Sequence, residues 1–264
     1  MMQKVGILSY PGSGSSKLIQ HLKSVTGVFI GSEKNNKFQK DAFADIADKY
    51  VLTNHVLSFG VDILWRRKVA KMVSPRNPIN VLDIATGSGD LALEIQKKCP
   101  EAEVIGSDFC EPMLKQARKK RGRLGLDSQQ YQFIEGDCLD IPFEDSSFDL
   151  VTISFGLRNL ADRKKGLAEI YRVLKPNGRL IVLEFTQPYW WFRPFYYFYL
   201  RLLLPWFARI VTGDRDAYLY LGTSISNFPN RAELGGELEE VGFENVNIEA
   251  LTFSIVALHV GTKN

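Results

Sequence analysis

Residues 80–90 read Asn-Val-Leu-Asp-Ile-Ala-Thr-Gly-Ser-Gly-Asp, and no other part of the sequence is as informative about the fold. Its first half is an apolar run typical of a buried strand, interrupted by Asp83. Gly87 and Gly89 then let the backbone turn sharply and approach a ligand closely, because glycine has no Cβ atom. Residues 91–98 have the apolar spacing of a helix. The sequence therefore predicts a strand, a ligand-binding loop and a helix in succession.

A second short apolar run ends in a carboxylate at Asp108, 19 residues after Gly89. A carboxylate at the end of the second strand of a βαβ unit is placed to accept hydrogen bonds from both hydroxyls of an adenosine ribose. Together with the glycine loop, it predicts a cofactor that contains adenosine.

The glycine loop alone does not identify that cofactor. Gly87, Gly89 and Ala92 also fit the G-x-G-x-x-G/A pattern of dinucleotide-binding loops, so NAD stays open at this point. Asp83 favours S-adenosylmethionine, because a carboxylate inside the strand suits the ammonium group of that cofactor and does not suit a pyrophosphate.

Two further strands are predicted to end at the same cleft. Residues 134–138 end the third strand in an acidic loop that contains Asp137 and Cys138, which is well placed to bond an adenine amino group. Residues 148–154 form the fourth strand, and residues 156–159 follow it. Ligands of open parallel sheets bind at the carboxyl ends of the strands, so all four loops should face one cleft.

Three stretches of the chain carry a resemblance to a known family: Phe-Gly-Leu-Arg-Asn at 155–159, Glu-Ile-Tyr-Arg-Val-Leu-Lys-Pro-Asn-Gly-Arg-Leu at 169–180 with Leu-Glu-Phe at 183–185, and Ser-Ile-Ser-Asn-Phe-Pro at 224–229. Over roughly residues 37–263 the sequence resembles the ubiquinone and menaquinone biosynthesis C-methyltransferases. It departs from that family at Val51, where an aspartate is usual, and at Phe253 and Ser254, where two glycines are common.

The resemblance implies transfer of a methyl group from S-adenosylmethionine to a ring carbon of a polyprenylated quinol, either a demethylmenaquinol or a ubiquinol precursor. It places the cofactor on Ser88 in the glycine loop, on Asp108, on Asp137 and Cys138, and on Ser154 at the end of the fourth strand. Two alternatives stay open, because a fold does not fix the acceptor. One is a methyltransferase of another small molecule or lipid, and the other is a non-catalytic subunit of a quinone complex.

Carbon methylation requires a neighbouring ring hydroxyl to lose its proton, and the site must stabilise that anion while it aligns two reactants. Arg158 is our candidate for this stabilisation, with Asn159 as a neutral hydrogen-bonding neighbour. Tyr50 and Asn54, on N-terminal helices over the cleft, are candidates to orient the quinol oxygens directly or through water. We expect water ordered by Tyr50 and Arg158 to accept the proton.

Arg158 also has a structural alternative. Asp162 and Glu169 lie close to it in the sequence, and a salt bridge to either is the structural role that Arg158 could have instead.

From residue 79 to residue 185, predicted strands and helices alternate, which indicates a doubly wound parallel sheet. The chain turns at Lys175-Pro176-Asn177-Gly178 into a fifth strand, and residues 243–250 and 253–261 predict an antiparallel edge hairpin. The predicted fold class is α/β, a Rossmann-like seven-stranded methyltransferase fold with helices on both faces.

The domain boundaries follow from the same pattern. Residues 37–264 should form the methyltransferase domain, with N-terminal helices in 37–78 and an aromatic insertion in 188–228. Residues 1–36 should be a flexible N-terminal extension. Their stretch Tyr10-Pro11-Gly12-Ser13-Gly14-Ser15-Ser16-Lys17 hints at a phosphate-binding loop, although its spacing fails the G-x-x-x-x-G-K-[ST] pattern.

Residues 188–211 concentrate aromatic side chains. Arg193, Arg201 and Arg209 interrupt the segment and argue against a membrane span. Amphipathic rings with arginine suit a bilayer surface, or the wall of a site that receives a polyprenyl tail. The alternative is a helix that packs on the sheet.

A net charge of +3 spread through the chain does not indicate the clustered basic surface that binds nucleic acid. The three cysteines are isolated and lack metal-ligand spacing, which suits a reducing compartment. The N-terminus lacks the features of a secretory signal. We therefore expect a cytoplasmic protein, with the membrane surface as a further location, and no metal; homodimerisation stays open.

Overall fold

The computed structural model describes residue 58 and residues 60–73, 77–200 and 224–264. Within these ranges the helices are α1 (Val61–Val73), α2 (Asp90–Lys98), α3 (Glu111–Arg123), α4 (Arg163–Val173), α5 (Arg193–Phe198) and α6 (Arg231–Val241). The strands are β1 (Asn80–Ile84), β2 (Glu103–Asp108), β3 (Tyr131–Glu135), β4 (Phe148–Ser154), β5 (Leu174–Phe185), β6 (Glu244–Leu251) and β7 (Val256–Thr262).

The seven strands form one sheet in the order β3-β2-β1-β4-β5-β7-β6. Strands β1 to β5 are parallel, and β7 runs antiparallel between β5 and β6. The predicted seven-stranded fold and its antiparallel C-terminal hairpin are confirmed. The strand order reverses between β1 and β4, and ligands of open α/β sheets bind at such a switch point.

Both faces of the sheet are covered, as predicted. Successive side chains of a strand point to opposite faces. Val81 accordingly joins a core cluster with residues of α1, α2 and α3, whereas Leu82 joins a second cluster with residues of α4 and α6. Helix α6 begins at a capping box built by Asn230 and Glu233, and it ends at Gly242, whose φ of 114° suits glycine.

The predicted turn at residues 175–178 lies within the bounds of β5. The parallel register with β4 shifts between Phe148 and Leu150, so these residues bulge from the strand. The chain end holds them there, because the Asn177 N–H donates to the Lys263 carbonyl and the Lys263 N–H donates to the Gly178 carbonyl. Helix α4 ends before Pro176 as expected, and Asn177, with φ 63° in the left-handed region, turns the chain within the bulge.

The aromatic segment is described up to residue 200. It leaves β5, makes a turn at residues 189–192 and continues as α5. Its remaining residues, among them Arg201, Trp206 and Arg209, lie outside the described ranges, as do residues 1–36 and most of the predicted N-terminal helices. No helix of the described ranges is both long enough and apolar enough to cross a membrane.

Candidate functional site

A cleft opens at the carboxyl ends of β1, β2 and β4, where the strand order reverses. Its lining contains most of the residues predicted to bind the cofactor: Asp83, Gly87, Ser88, Asp108, Asp137, Cys138 and Ser154. Gly89 does not line it. A Cβ atom on Gly89 would lie 2.8 Å from the Phe133 ring, so this glycine allows α2 to pack on the sheet.

Asp108 is fixed in the cleft by two backbone amides. The Gly87 N–H donates to its carboxylate across 2.8 Å and the Cys110 N–H across 2.9 Å. Burial raises the pKa of Asp108, and these amides oppose the shift. Each carboxylate oxygen has further acceptor capacity, so the anchored side chain can still accept bonds from a ligand.

Strained backbone marks the ends of β1 and β4. Ala85 has φ 51° and Phe155 has φ 58°, both in the left-handed region that disfavours a side chain. The two chain segments also approach closely, since a Cβ atom on Gly156 would lie 2.4 Å from the Ala85 Cβ. Strain of this kind persists where the surrounding structure enforces it, and it concentrates at functional sites.

Asp83 is buried at the base of the cleft. Its carboxylate accepts hydrogen bonds from the Thr86 hydroxyl at 2.7 Å and from the Thr152 hydroxyl at 2.6 Å. Burial raises its pKa to about 6, and the two hydroxyls and the Arg66 charge oppose that rise. Asp83 is therefore ionised at neutral pH and can attract a cationic group.

The Ser88 hydroxyl belongs to a polar cluster at the start of α2. It donates to Asp90 across 2.7 Å and accepts from Lys120 across 3.0 Å. At the other end of the cleft, exposed Asp137 accepts the Leu139 N–H. Burial raises the pKa of the neighbouring Cys138 thiol to about 12, so that thiol stays protonated.

The Ser154 hydroxyl indicates whether the cleft fits a polar cofactor. Its hydroxyl oxygen is buried and has no hydrogen-bond partner in the described part of the chain. Buried polar atoms are nearly always bonded, so a ligand group in the cleft would satisfy this one. Together with the carboxylates of Asp83 and Asp108, the donor and acceptor set fits S-adenosylmethionine.

The predicted catalytic residues are placed differently from one another. Asn159 lines the cleft, whereas Arg158 is not among the lining residues. The Arg158 guanidinium donates to Glu184 across 2.7 Å and to the Phe155 carbonyl across 2.6 Å. Tyr50 and Asn54 lie outside the described residues.

The ion-pair partner of Arg158 is Glu184, not Asp162 or Glu169. Asp162 accepts the Lys165 N–H as the N-cap of α4. Glu169 points to another part of the fold, where it accepts from Arg172 and from the Ile141 N–H. Sequence proximity therefore suggested the wrong partners, because α4 carries both acids away from the cleft.

Two charged residues of this site, Glu184 and Arg66, were not predicted from the sequence. Glu184 is a lone acid inside the buried run of β5, and that position is the signal that could have identified it. Arg66 lies on α1 and lines the cleft, although nothing in its local sequence distinguishes it from the adjacent Arg67.

Comparison with known proteins relates the whole described domain to one family. Residues 31–263 match the model of the ubiE/COQ5 methyltransferase family. A demethylmenaquinone methyltransferase of Thermus thermophilus is 45% identical over 222 residues, covering 84% of this chain and 99% of that protein. The ubiquinone/menaquinone biosynthesis C-methyltransferase UbiE of Rickettsia bellii is 39% identical over 239 residues, covering 89% of this chain and 96% of that protein.

Among solved structures, an S-adenosylmethionine-dependent methyltransferase of Aquifex aeolicus superposes with a TM-score of 0.54. It is 18% identical, and the superposition covers 77% of this chain and 92% of that chain. At this identity the likeness supports the fold.

Proposed function

The chain belongs to the ubiE/COQ5 methyltransferase family, and we propose that it methylates a ring carbon of a polyprenylated quinol. The observation that carries the proposal is the 45% identity to a demethylmenaquinone methyltransferase along 99% of that protein. Both a demethylmenaquinol and a ubiquinol precursor belong to the proposed substrate class, since relatives of both names match.

The cofactor is S-adenosylmethionine, which supplies a methyl group on a positively charged sulfur. Within the proposal, Asp108 accepts the ribose hydroxyls and Asp83 faces the ammonium group. Asp137 and Cys138 lie at the adenine, and Ser88 and Ser154 donate or accept at the cleft wall. The four acidic residues that line the cleft, Asp83, Asp90, Asp108 and Asp137, suit a ligand with net positive charge.

On the quinol side, Asn159 lines the cleft and offers a neutral amide to a ring oxygen. Arg158 lies one residue earlier and places its guanidinium, paired with Glu184, beside the same strand end. We propose that this cation favours the phenolate form of the quinol, which makes the ring carbon nucleophilic. Tyr50 and Asn54 stay candidates to order the water that accepts the proton.

The proposed quinol carries an apolar tail, so its source is a membrane. The protein has an exposed aromatic face that suits contact with a membrane surface. This face consists of Tyr189, Trp190, Trp191, Phe195, Phe198 and Phe253, all exposed. Trp190 is 81% exposed and Phe195 is 69% exposed. Aromatic rings favour the headgroup boundary of a bilayer, and Arg193 adds a cation for anionic lipid. We propose that the face contacts the membrane surface peripherally.

Within the same proposal, residues 37–264 form the methyltransferase domain, residues 37–78 cover the cleft and residues 1–36 are an extension to it. Residues 188–228, of which 188–200 and 224–228 are described, are its aromatic insertion.

The test is a methyl-transfer assay with the full-length protein and isotope-labelled S-adenosylmethionine. The acceptors are a demethylmenaquinol, a ubiquinol precursor and a panel of unrelated phenols and lipids, and mass spectrometry identifies the methylated carbon. We expect carbon methylation of one or both quinols and none of the panel. Transfer to an oxygen atom, or turnover confined to the panel, would overturn the proposal.

A further inference from the structure

Arg66 stands out in the cleft by its charge. Of the described residues that line the cleft, four are aspartates, and Arg66 is the single lysine or arginine. A cation in an otherwise acidic site selects for an anionic group on the ligand at that position, because like charges elsewhere repel such a group.

The structure holds the Arg66 side chain firmly. Its guanidinium forms an ion pair with Asp62 one helical turn earlier, and Asp62 also accepts the Ser58 hydroxyl across 2.7 Å. The guanidinium lies over the Phe155 ring, 5.6 Å from the ring centroid. Arg66 is 8% exposed and Asp62 is 1% exposed. A group with so little freedom is preorganised to bind, and it loses little further entropy when a ligand arrives.

The methionine end of S-adenosylmethionine carries an ammonium group and a carboxylate on one carbon atom. We propose that Arg66 binds this carboxylate while Asp83, on the floor of the same cleft, faces the ammonium group. The inference rests on the proposed function, because it takes S-adenosylmethionine as the ligand. Asp62 is then a positioning residue that aims the guanidinium at the cleft.

Arg66 can bind Asp62 and a ligand carboxylate at the same time. A guanidinium has five N–H donors in a planar fork, so the bond from one terminal nitrogen to Asp62 leaves capacity for a carboxylate. Arg66 and Asp83 line the same cleft, and the Arg66 charge opposes the rise of the Asp83 pKa. Groups of opposite charge in one cleft match the ammonium and carboxylate charges of an amino acid.

The competing explanation is that Arg66 only balances the charges of Asp62 and Asp83. A ligand that lacks the carboxylate distinguishes this explanation from the proposed carboxylate binding. Decarboxylated S-adenosylmethionine keeps the adenosine, the sulfonium and the ammonium group, so it probes every other part of the site.

The experiment measures binding of both ligands by calorimetry to the wild type and to Arg66→Met. We expect Arg66→Met to weaken S-adenosylmethionine about 10- to 100-fold, as expected for charge-assisted bonds, and to change binding of the decarboxylated ligand less than about threefold. Arg66→Lys should recover part of the loss, since lysine keeps the charge without the fork. Arg67→Met is the matched control, because Arg67 is the next residue in the sequence and its side chain is 57% exposed. This change should alter neither affinity.

Arg66→Met leaves the buried Asp62 without its cation and can destabilise the protein. The double variant Asp62→Asn with Arg66→Met removes both charges and should show the same selective loss. Equal losses for the two ligands, or no loss for either, would overturn the inference. A wild type that binds neither ligand would contradict the proposed function instead.

Discussion

Arg158 donates a hydrogen bond to Glu184 across 2.7 Å, and each side chain of this ion pair is 1% exposed. Glu184 also accepts the Arg158 backbone N–H at 3.2 Å and the Phe185 N–H at 2.8 Å. One carboxylate thus holds both the guanidinium and the short 3₁₀ turn Leu157–Asn159, which carries Asn159 to the cleft. The stability of this turn and the charge beside the proposed quinol site depend on the same pair.

We predict that Arg158→Met and Glu184→Met both destabilise the fold by about 3–5 kcal/mol, because each leaves a buried charge without its partner. The double variant should recover most of that loss in chemical denaturation. Its turnover of a quinol should nevertheless stay about 100-fold or more below wild type, if Arg158 stabilises the phenolate. Arg158→Lys should restore turnover partly.

Cofactor affinity separates these effects, since neither residue is placed at the cofactor. We expect calorimetry to find S-adenosylmethionine binding to the double variant nearly unchanged, so that the loss lies in kcat. A double variant with full kcat would show that the pair is structural and that Arg158 has no part in the chemistry.

Asp108→Ala should weaken S-adenosylmethionine by about 10-fold or more, because each charge-assisted hydrogen bond to a ribose hydroxyl contributes about 1.5–3 kcal/mol. The same change leaves the amides of Gly87 and Cys110 without their acceptor, so thermal stability should fall as well. Asp108→Asn keeps an acceptor oxygen and should be milder on both counts.

The control for Asp108 is Glu101→Gln, which alters an exposed acid away from the cleft. NAD should not bind to any of these proteins in the calorimeter. Micromolar affinity for NAD, together with indifference to S-adenosylmethionine, would contradict the assignment of the cofactor.

Asp83 should make the stability and the affinity change in opposite directions with pH. Its pKa in the fold is about 6, above the ordinary value of 3.8, so the fold favours the protonated form. The stability that protonation contributes is present below about pH 4 and is lost as pH rises through about 6. Asp83→Asn should therefore stabilise the protein at pH 8 by up to about 3 kcal/mol and much less at pH 4.

Cofactor binding needs the ionised form if Asp83 faces the ammonium group. Wild-type affinity for S-adenosylmethionine should then fall as pH drops from 7 to 5, whereas Asp83→Asn should bind weakly and with a flatter pH profile. Denaturation and calorimetry across this range provide the measurements. If Asp83→Asn binds as tightly as wild type at pH 8, Asp83 has a structural role alone.

Local sequence signals predicted much of this fold and cleft. An apolar run followed by glycines, and carboxylates that end successive strands, need no knowledge of distant residues, and parallel strands bring their carboxyl ends together. Asp83, Asp108 and Ser154 line the cleft for that reason. Gly89 has the same local signature as Gly87 but packs against Phe133, which only the tertiary structure reveals.

Charges that act across the fold could not be predicted in this way. Glu184 meets Arg158 because β4 and β5 are adjacent strands, and no sequence spacing records that pairing. Arg66 faces the cleft and Arg67 faces outward because of the orientation of α1 on the sheet. The turn predicted at residues 175–178 became a bulge because of hydrogen bonds to Lys263 near the chain end.

Phe253 offers a test of the aromatic face that the fold itself should tolerate. Its φ of 56° is a conformation that favours glycine. The ring packs on Phe192 and Trp191, with centroid distances of 4.9 and 5.6 Å. In Phe253→Gly, the relief of backbone strain stabilises the fold by about 1 kcal/mol, and the loss of the ring contacts destabilises it by about 1 kcal/mol. The two effects should nearly cancel.

We predict that Phe253→Gly, Trp190→Ser and Phe195→Ser each lower binding to anionic lipid vesicles roughly fivefold. Complete burial of such a ring contributes about 1.5–3 kcal/mol, and the partial burial expected at a membrane surface contributes less. KM for a long-tailed quinol should rise in these variants, while kcat for a short-tailed analogue stays constant. Leu124→Ser removes an apolar side chain that is 50% exposed at the end of α3, and it should change neither property. Vesicle flotation and paired kinetics measure both effects. Equal losses on the two substrates would indicate damaged packing, and unchanged flotation would show that the aromatic face does not contact the membrane.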